Sequence, residues 1–261
     1  MSKKLQRANK IIDILKERNG VTVKELASIL NVSEMTIRRD LEVLKKNNIV
    51  NNVYGAAIYN PSNNIEKLES FYDIENEIVK QENQKFKIGK TAADLIDDDD
   101  IIIIDTGTTT EKLAGCISSK LNISALVYNT NILMELMQKK NINLIFSGGY
   151  FHPNTQMFES PEGISLIEKT RATKVFVSAA GVHENLGVTC SNNYEVLTKQ
   201  AIINSSLEKI LLVDSSKFGV VKSSYFADLE SFDIIITDDG ISNEWKERIY
   251  NKGIKLIISM L

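Results

Sequence analysis

The chain is poor in the side chains from which metal and redox sites are built, with two cysteines and two histidines in 261 residues. Cys116 and Cys190 stand far apart, in no CxxC or comparable ligand spacing, which argues against both zinc and a disulfide. Isolated cysteines of this kind serve mostly as small buried side chains. His152 precedes Pro153, and His183 follows the glycine turn at Gly181, so each reads as a surface or capping residue. No metal ligand and no cofactor is assigned. Apolar runs are also short. None approaches the ~20 residues that cross a bilayer, and the N-terminus has no signal-peptide pattern. A membrane partner is excluded on this reading, and a cytoplasmic location is expected. The four aspartates 97–100 invite a metal reading, but adjacent carboxylates in one short loop point apart, and a hard cation needs spaced ligands. They read as a solvated turn.

What the chain does have is an uneven distribution of charge. Hydrophobic content of 43% and charged content of 25% are those of an ordinary globular protein. Overall the charge is −3, yet residues 1–60 carry eleven basic and six acidic side chains, a net +5, which leaves −8 for the remainder. A basic segment on an acidic chain is the electrostatic footprint of phosphate contact.

The basic segment also carries a helix-turn-helix pattern. Leu5 to Asn19 has Leu5, Ala8, Ile11, Ile12 and Leu15 at helical spacing, with Gly20 as a stop. Thr22-Val23-Lys24-Glu25 is a capping box that opens a short helix ending near Leu30. After Asn31-Val32, Ser33 caps a further helix on which Ile37, Leu41 and Leu44 form one apolar stripe. Met35 and Arg39 fall opposite that stripe, with Thr36 and Arg38 on its flanks. Ser33, Glu34, Met35, Thr36, Arg38 and Arg39 are therefore the candidate DNA-contacting residues. Ile49-Val50 and Val53-Tyr54, with Asn51-Asn52 between them, suggest a two-stranded wing. The alternative is a helical hairpin that binds only protein, and the charge asymmetry favours DNA.

Asn60-Pro61-Ser62-Asn63-Asn64 marks a domain boundary, and the charged stretch beyond it reads as a linking helix. The expected division is 1–58 for the DNA-binding domain, 59–84 for the linker helix and 85–261 for an α/β domain. Lys85 to Ile96 is expected to be helical, with Phe86, Ile88, Ala92, Ala93, Leu95 and Ile96 as its apolar residues. Seven short apolar runs follow, at 101–104, 126–128, 142–146, 175–177, 210–213, 234–236 and 255–258, separated by helical stretches. That alternation predicts a largely parallel sheet covered on both faces. In such sheets ligands bind beyond the carboxyl ends of the strands, where this chain places its small polar turns. The sharpest is Asp105-Thr106-Gly107-Thr108-Thr109-Thr110, in which backbone N–H groups, threonine hydroxyls and a helix N-terminus could converge on an anion. It is neither a Walker loop nor GxGxxG, so a nucleotide is not indicated.

Val32-Ser33, Thr36-Ile37-Arg38-Arg39-Asp40-Leu41 and Tyr54-Gly55-Ala56-Ala57 together resemble the N-terminal domain of the DeoR family of bacterial transcriptional regulators. The later pieces resemble that family's sensor domain, which is similar in fold to ribose-5-phosphate isomerase and glucosamine-6-phosphate deaminase. They are Asp105 to Thr109, Asn129-Thr130-Asn131, Gly148-Gly149, Gly181 with Gly187-Val188-Thr189, Glu195 with Lys199, and Asp214 to Gly219. The resemblance implies a winged helix-turn-helix joined to a parallel α/β sensor domain. It implies operator DNA and a small phosphorylated sugar or related effector as partners, in a homodimer or homotetramer. By the same likeness, Thr106 to Thr110 would hold the phosphate, with Asn129, Gly149, Glu195 and Lys199 lining the pocket. Lys217 would either neutralise phosphate or pair with Asp214. The related isomerases carry an acidic Asp-Gly-Ala-Asp motif, whereas Val177-Ser178-Ala179-Ala180-Gly181-Val182 has no carboxylate for proton transfer. No catalytic residue is assigned. A sugar-phosphate isomerase-like enzyme with an added DNA-binding domain is the alternative reading.

Overall fold

The computed structural model describes residues 3–17, 21–46, 50–53, 56–59 and 81–260. The chain divides into two units between Phe71 and Tyr72. The first contains α1 (Lys3–Glu17), β1 (Val21–Thr22), α2 (Val23–Leu30), α3 (Glu34–Lys46), β2 (Val50–Val53) and β3 (Ala56–Tyr59). Its helix boundaries follow from local capping. Thr22 Oγ1 accepts the Glu25 N–H at 3.3 Å while Glu25 accepts the Thr22 N–H at 2.8 Å, the reciprocal box expected of that sequence. At its other end, α2 stops at Asn31, whose backbone is left-handed at φ 52°. The Val32 N–H then reaches back to the Ala27 carbonyl at 3.1 Å and the Asn31 N–H to Ser28 at 3.4 Å, a Schellman closure. Two residues later Ser33 Oγ accepts the Thr36 N–H at 3.2 Å and starts α3. Ile11, Ile12, Leu15, Leu26, Ile37, Leu41 and Leu44 form the core of this unit, none more than 5% exposed.

The wing differs from its expected placement. Asn51-Asn52 is not the turn; both residues lie inside β2, which pairs antiparallel with β3 so that Val50 faces Tyr59 and Val53 faces Ala56. A ladder is made by backbone groups, so asparagine is accepted within a strand once the register is set by partners further along. β1 pairs with the other side of β3 and completes a three-stranded sheet. The Gly20 stop, the break at Asn47-Asn48, Tyr54-Gly55 and most of the linker helix expected over 59–84 lie outside the described residues.

The first described element of the second unit is α4 (Glu82–Ala93), which starts three residues earlier than expected. It buries Ile88, Ala92 and Ala93, while Phe86, expected among its apolar residues, lies off that face and is 51% exposed. Then come β4 (Ile101–Ile104), α5 (Thr108–Cys116), β5 (Ile123–Val127), α6 (Thr130–Leu136) and β6 (Ile142–Phe146). A hairpin of β7 (Tyr150–His152) and β8 (Met157–Glu159) follows, then α7 (Pro161–Lys169) and β9 (Ala172–Ser178). The remainder is β10 (Gly181–His183), β11 (Gly187–Cys190), α8 (Val196–Asn204), β12 (Ser206–Leu212), β13 (Ser224–Ala227), β14 (Ile234–Asp238), α9 (Asn243–Asn251) and β15 (Lys255–Ser259).

The seven apolar runs are the seven strands of one sheet, ordered β15-β14-β12-β9-β4-β5-β6, and every pairing in it is parallel. Alternation of side chains explains why Ile101–Ile104 has no polar residue. Ile102 and Ile104 pack on one face with Ile88, Leu113 and Ile132, while Ile103 packs on the other with Ile167, Ile202 and Ile249. Helices α4 to α6 thus cover one face and α7 to α9 the other. Strand order reverses between β4 and β9, the topological switch point at which ligands bind in doubly wound sheets. The antiparallel pair β7-β8 and the antiparallel sheet β10-β11-β13 were not anticipated. These strands of three or four residues mix polar and apolar positions, with neither the continuous apolar run of β4 nor enough length to show alternation.

Candidate functional site

Asp105 follows β4 and Ser178 ends β9, so both stand at the switch point. Asp105 is fully buried, and its carboxylate is ringed by donors. Oδ1 accepts the Tyr128 hydroxyl and the Thr106 N–H; Oδ2 accepts the Ser178 N–H at 2.8 Å and the Lys199 ammonium at 2.5 Å. Lys199, on α8, also donates to the Ser178 carbonyl at 3.0 Å and lies 3.9 Å from Glu195 Oε2. Glu195 precedes α8, and its Oε1 accepts both the backbone and the side-chain N–H of Asn192. Asp105, Glu195 and Lys199, each a candidate effector-binding residue from the sequence, are thus brought together, but in a closed ion cluster rather than along an open wall. Lys199 is 2% exposed and has two of its three protons committed to the fold.

Burial sets the acid–base character of this cluster. It opposes the charge on Lys199, yet the fields of Asp105 and Glu195 outweigh it and hold the lysine above its ordinary range. Burial raises Glu195 above the ordinary carboxyl range, against the pull of Lys199 and the Asn192 hydrogen bonds. Tyr128 is pushed well up by burial and by Asp105, so its hydroxyl remains a donor. Burial also carries the Cys190 thiol to about 12, which leaves it without thiolate chemistry at neutral pH.

The loop Asp105 to Thr110 is buried throughout. Gly107 sits at φ 154°, and a Cβ there would overlap the Ser178 hydroxyl. Two threonines differ from expectation, because the Thr106 hydroxyl donates to the Thr155 carbonyl at 3.0 Å and the Thr110 hydroxyl to Gly107 O at 2.9 Å. Both protons are spent inside the fold. What the loop offers an anion is the opening N–H groups of α5, from Thr108 on, which lack intrahelical acceptors. Beside it Asn129 is fully buried and donates to Asn131 at 2.8 Å, while its Oδ1 meets no donor among the described residues. Gly149 serves chain packing: at φ 143° it lies against the Glu159 backbone, where a Cβ would come within 2.6 Å of the carbonyl carbon. Lys217 is half-buried in the turn after β12, and the neighbouring Asp214 carboxylate accepts from the Ser216 N–H and hydroxyl.

The β7-β8 hairpin closes over this region, and sequence reasoning missed its part. Thr155 in its turn is fully buried, and its hydroxyl lies 3.2 Å from that of Tyr194, which donates to Asn154 at 2.8 Å. His152, expected to be a bland surface residue, stacks on Tyr194 with ring centroids 3.7 Å apart and contacts Glu159 at 3.0 Å. His183 fits its capping role, accepting the Asn185 N–H at 3.2 Å. The aspartates 97–100 do not simply point apart into solvent. Asp97 and Asp100 converge on the Lys174 ammonium at 2.9 and 2.5 Å and Asp100 is buried, while Asp98 accepts from Asn122.

In the N-terminal unit, Ser33, Glu34, Met35, Arg38 and Arg39 are exposed, with Met35 at 68%. Thr36 is half-buried with its hydroxyl 2.9 Å from Ser33 Oγ. Arg38 comes only within 3.9 Å of Glu34, an exposed pair of little strength, so both arginines are available to a partner. Behind them Asp40 is 3% exposed and is held by Arg7 of α1 through Nε at 2.5 Å and Nη2 at 3.2 Å. The sequence signal for this pair is a carboxylate three residues after Ile37 and four before Leu44, on the side of the apolar stripe.

Residues 7–63 match the DeoR-like helix-turn-helix domain and residues 80–239 the DeoR C terminal sensor domain. The chain belongs to the DeoR family of transcriptional regulators. The lactose phosphotransferase system repressor of Staphylococcus epidermidis is 33% identical over 251 residues, covering 94% of this chain and 96% of that one. The deoxyribose operon repressor of Escherichia coli K12 is 29% identical over 252 residues, 97% of each. Among solved structures, ribose 5-phosphate isomerase A from Methanocaldococcus jannaschii aligns over 53% of this chain and 55% of that chain, with a TM-score of 0.40 and 19% identity. This DeoR-family regulator therefore binds DNA through the unit that carries α3, and its parallel α/β unit is the sensor domain. No helix among the described residues is long and apolar enough to cross a membrane.

Proposed function

We propose that this regulator is a repressor of sugar-metabolism genes that binds operator DNA as a homodimer or homotetramer and is controlled by a phosphorylated sugar. The observation that carries the effector reading is the arrangement at the switch point. The N–H groups that open α5 have no intrahelical acceptor and suit an anion, and the buried Asn129 oxygen beside them meets no donor among the described residues, a place that a sugar hydroxyl would fill. Thr108, Thr109 and the backbone of Thr106 to Thr110 hold the phosphate in this proposal. Asn129 reads a hydroxyl, and the Asp105–Lys199–Glu195 cluster forms the floor. The effector acts by linkage: binding one arrangement of the subunits better than another changes DNA affinity by the same factor. Self-association follows from the reading of repeated half-sites, since one α3 spans only a short stretch of groove.

The test is fluorescence anisotropy of the intact protein on DNA from its own upstream region, with and without a panel of sugar phosphates. One compound that shifts the binding curve supports the proposal; binding indifferent to the whole panel counts against the effector reading. The enzyme alternative draws on a single feature, the raised carboxyl of Glu195. It requires turnover of a sugar phosphate that Glu195→Gln abolishes.

A further inference from the structure

We infer that Arg7 and Asp40 are positioning residues for DNA reading, a pair that fixes the rotation of α3 about its own axis and so the direction in which Arg38 and Arg39 project. The inference rests on α3 being the helix that enters the groove. Three observations carry it. Asp40 immediately follows the two exposed arginines, one step of about 100° round the helix from Arg39 and two from Arg38, yet it is only 3% exposed. Its partner is remote in sequence, on α1, and grips it with two guanidinium nitrogens, so the contact joins two helices rather than two turns of one. Among the described residues, the buried apolar side chains by which α3 joins the core of its unit are Ile37, Leu41 and Leu44, whose packing is nearly indifferent to a few degrees of roll.

A bidentate guanidinium–carboxylate contact has a defined geometry, which aliphatic packing lacks. Turning α3 by even part of a residue's 100° step would tear the Arg7 fork from Asp40 before it opened the core. It would also swing the arginine tips through several ångströms, more than a base-edge hydrogen bond tolerates. A buried ion pair adds little net stability over apolar side chains of similar size, and setting register is its best attested use. The pair has a further effect at this place. With Arg7 engaged, the Asp40 carboxylate is drawn away from the arginine-bearing face, where it would oppose the DNA phosphates.

The test separates positioning from stability. In the double variant Arg7→Met/Asp40→Leu, the half-buried Arg7 and its buried partner Asp40 are exchanged for apolar groups and the net charge of the chain is unchanged. Its DNA partners are the duplex that the wild-type protein selects from a random-sequence pool and an unselected duplex of equal length. Amide hydrogen exchange of α3 reports folding. The expected result is α3 protection close to wild type, affinity for the unselected duplex within about twofold, and a drop of at least tenfold in the ratio of selected to unselected affinity. Wild-type discrimination in the folded double variant overturns the inference. Should the double variant fail to fold, Arg7→Lys decides, since it keeps the charge and one hydrogen bond but not the fork. A lowered ratio there supports the pair as a positioning device, and an unchanged ratio overturns it. Failure of the wild-type protein to select any duplex would instead count against DNA reading by α3 itself.

Discussion

Replacing Asp105 by Asn should damage the sensor domain more than any exposed substitution, and the size of the effect follows from what surrounds the carboxylate. The donors to it are the Tyr128 hydroxyl, the N–H groups of Thr106 and Ser178, the Lys199 ammonium and, at 3.4 Å, the Ser178 hydroxyl. An asparagine retains one acceptor and sets an N–H₂ against the donors on the other side. The ammonium is then left at 2% exposure with the Ser178 carbonyl and a Glu195 oxygen 3.9 Å away. Removing one partner of a buried pair costs about 3–5 kcal/mol, a large share of the ~5–15 kcal/mol by which a domain is stable. Lys199→Met on top of Asp105→Asn removes the stranded charge and should recover part of the loss, through a coupling of roughly 0.5–3 kcal/mol. Urea unfolding followed by tryptophan fluorescence measures this in the intact chain. Trp245 is the only tryptophan, buried in α9, so the signal reports the sensor domain alone. Stability of Asp105→Asn within about 0.5 kcal/mol of wild type would refute the argument. So would a double variant that loses the full sum of the two single losses.

Three further outcomes are expected. Gly149→Ala forces a side chain against the Glu159 backbone at φ 143°, and should destabilise the sensor domain by about 1–3 kcal/mol with exchange rising first in 150–159; unchanged exchange there would show that the corner relaxes freely. Glu195→Gln should be more stable than wild type near neutral pH, because a carboxyl raised on folding makes the ionised native state pay for its burial. That advantage should shrink as the pH falls through the raised value toward the ordinary ~4.3, and thermal melts across pH that run parallel would contradict it. Arg39→Ala should weaken operator binding and, where a guanine is read, relax preference at that base pair by about 1–3 kcal/mol; an unchanged binding curve would remove Arg39 from the contact surface.

Local signals settled much of this protein before any tertiary contact was known. Capping at Thr22 and Ser33, the stripe Ile37-Leu41-Leu44 and the seven apolar runs depend on neighbours within about a turn of helix or a strand, and such short-range physics is written directly in the residue order. Family membership was legible for the same reason, since its motifs are contiguous. The tertiary structure alone decided what distant residues do to one another. It turned Asp40 inward onto Arg7, spent the Thr106 and Thr110 hydroxyls on backbone carbonyls, gathered Asp105, Tyr128, Ser178 and Lys199 from four segments, and stacked His152 on Tyr194. Sequence periodicity reports which face of an element is buried, but not which buried polar group meets which. That pairing is fixed only when sheet order and hairpin closure bring the groups within hydrogen-bond reach, where desolvation makes an unmatched partner costly.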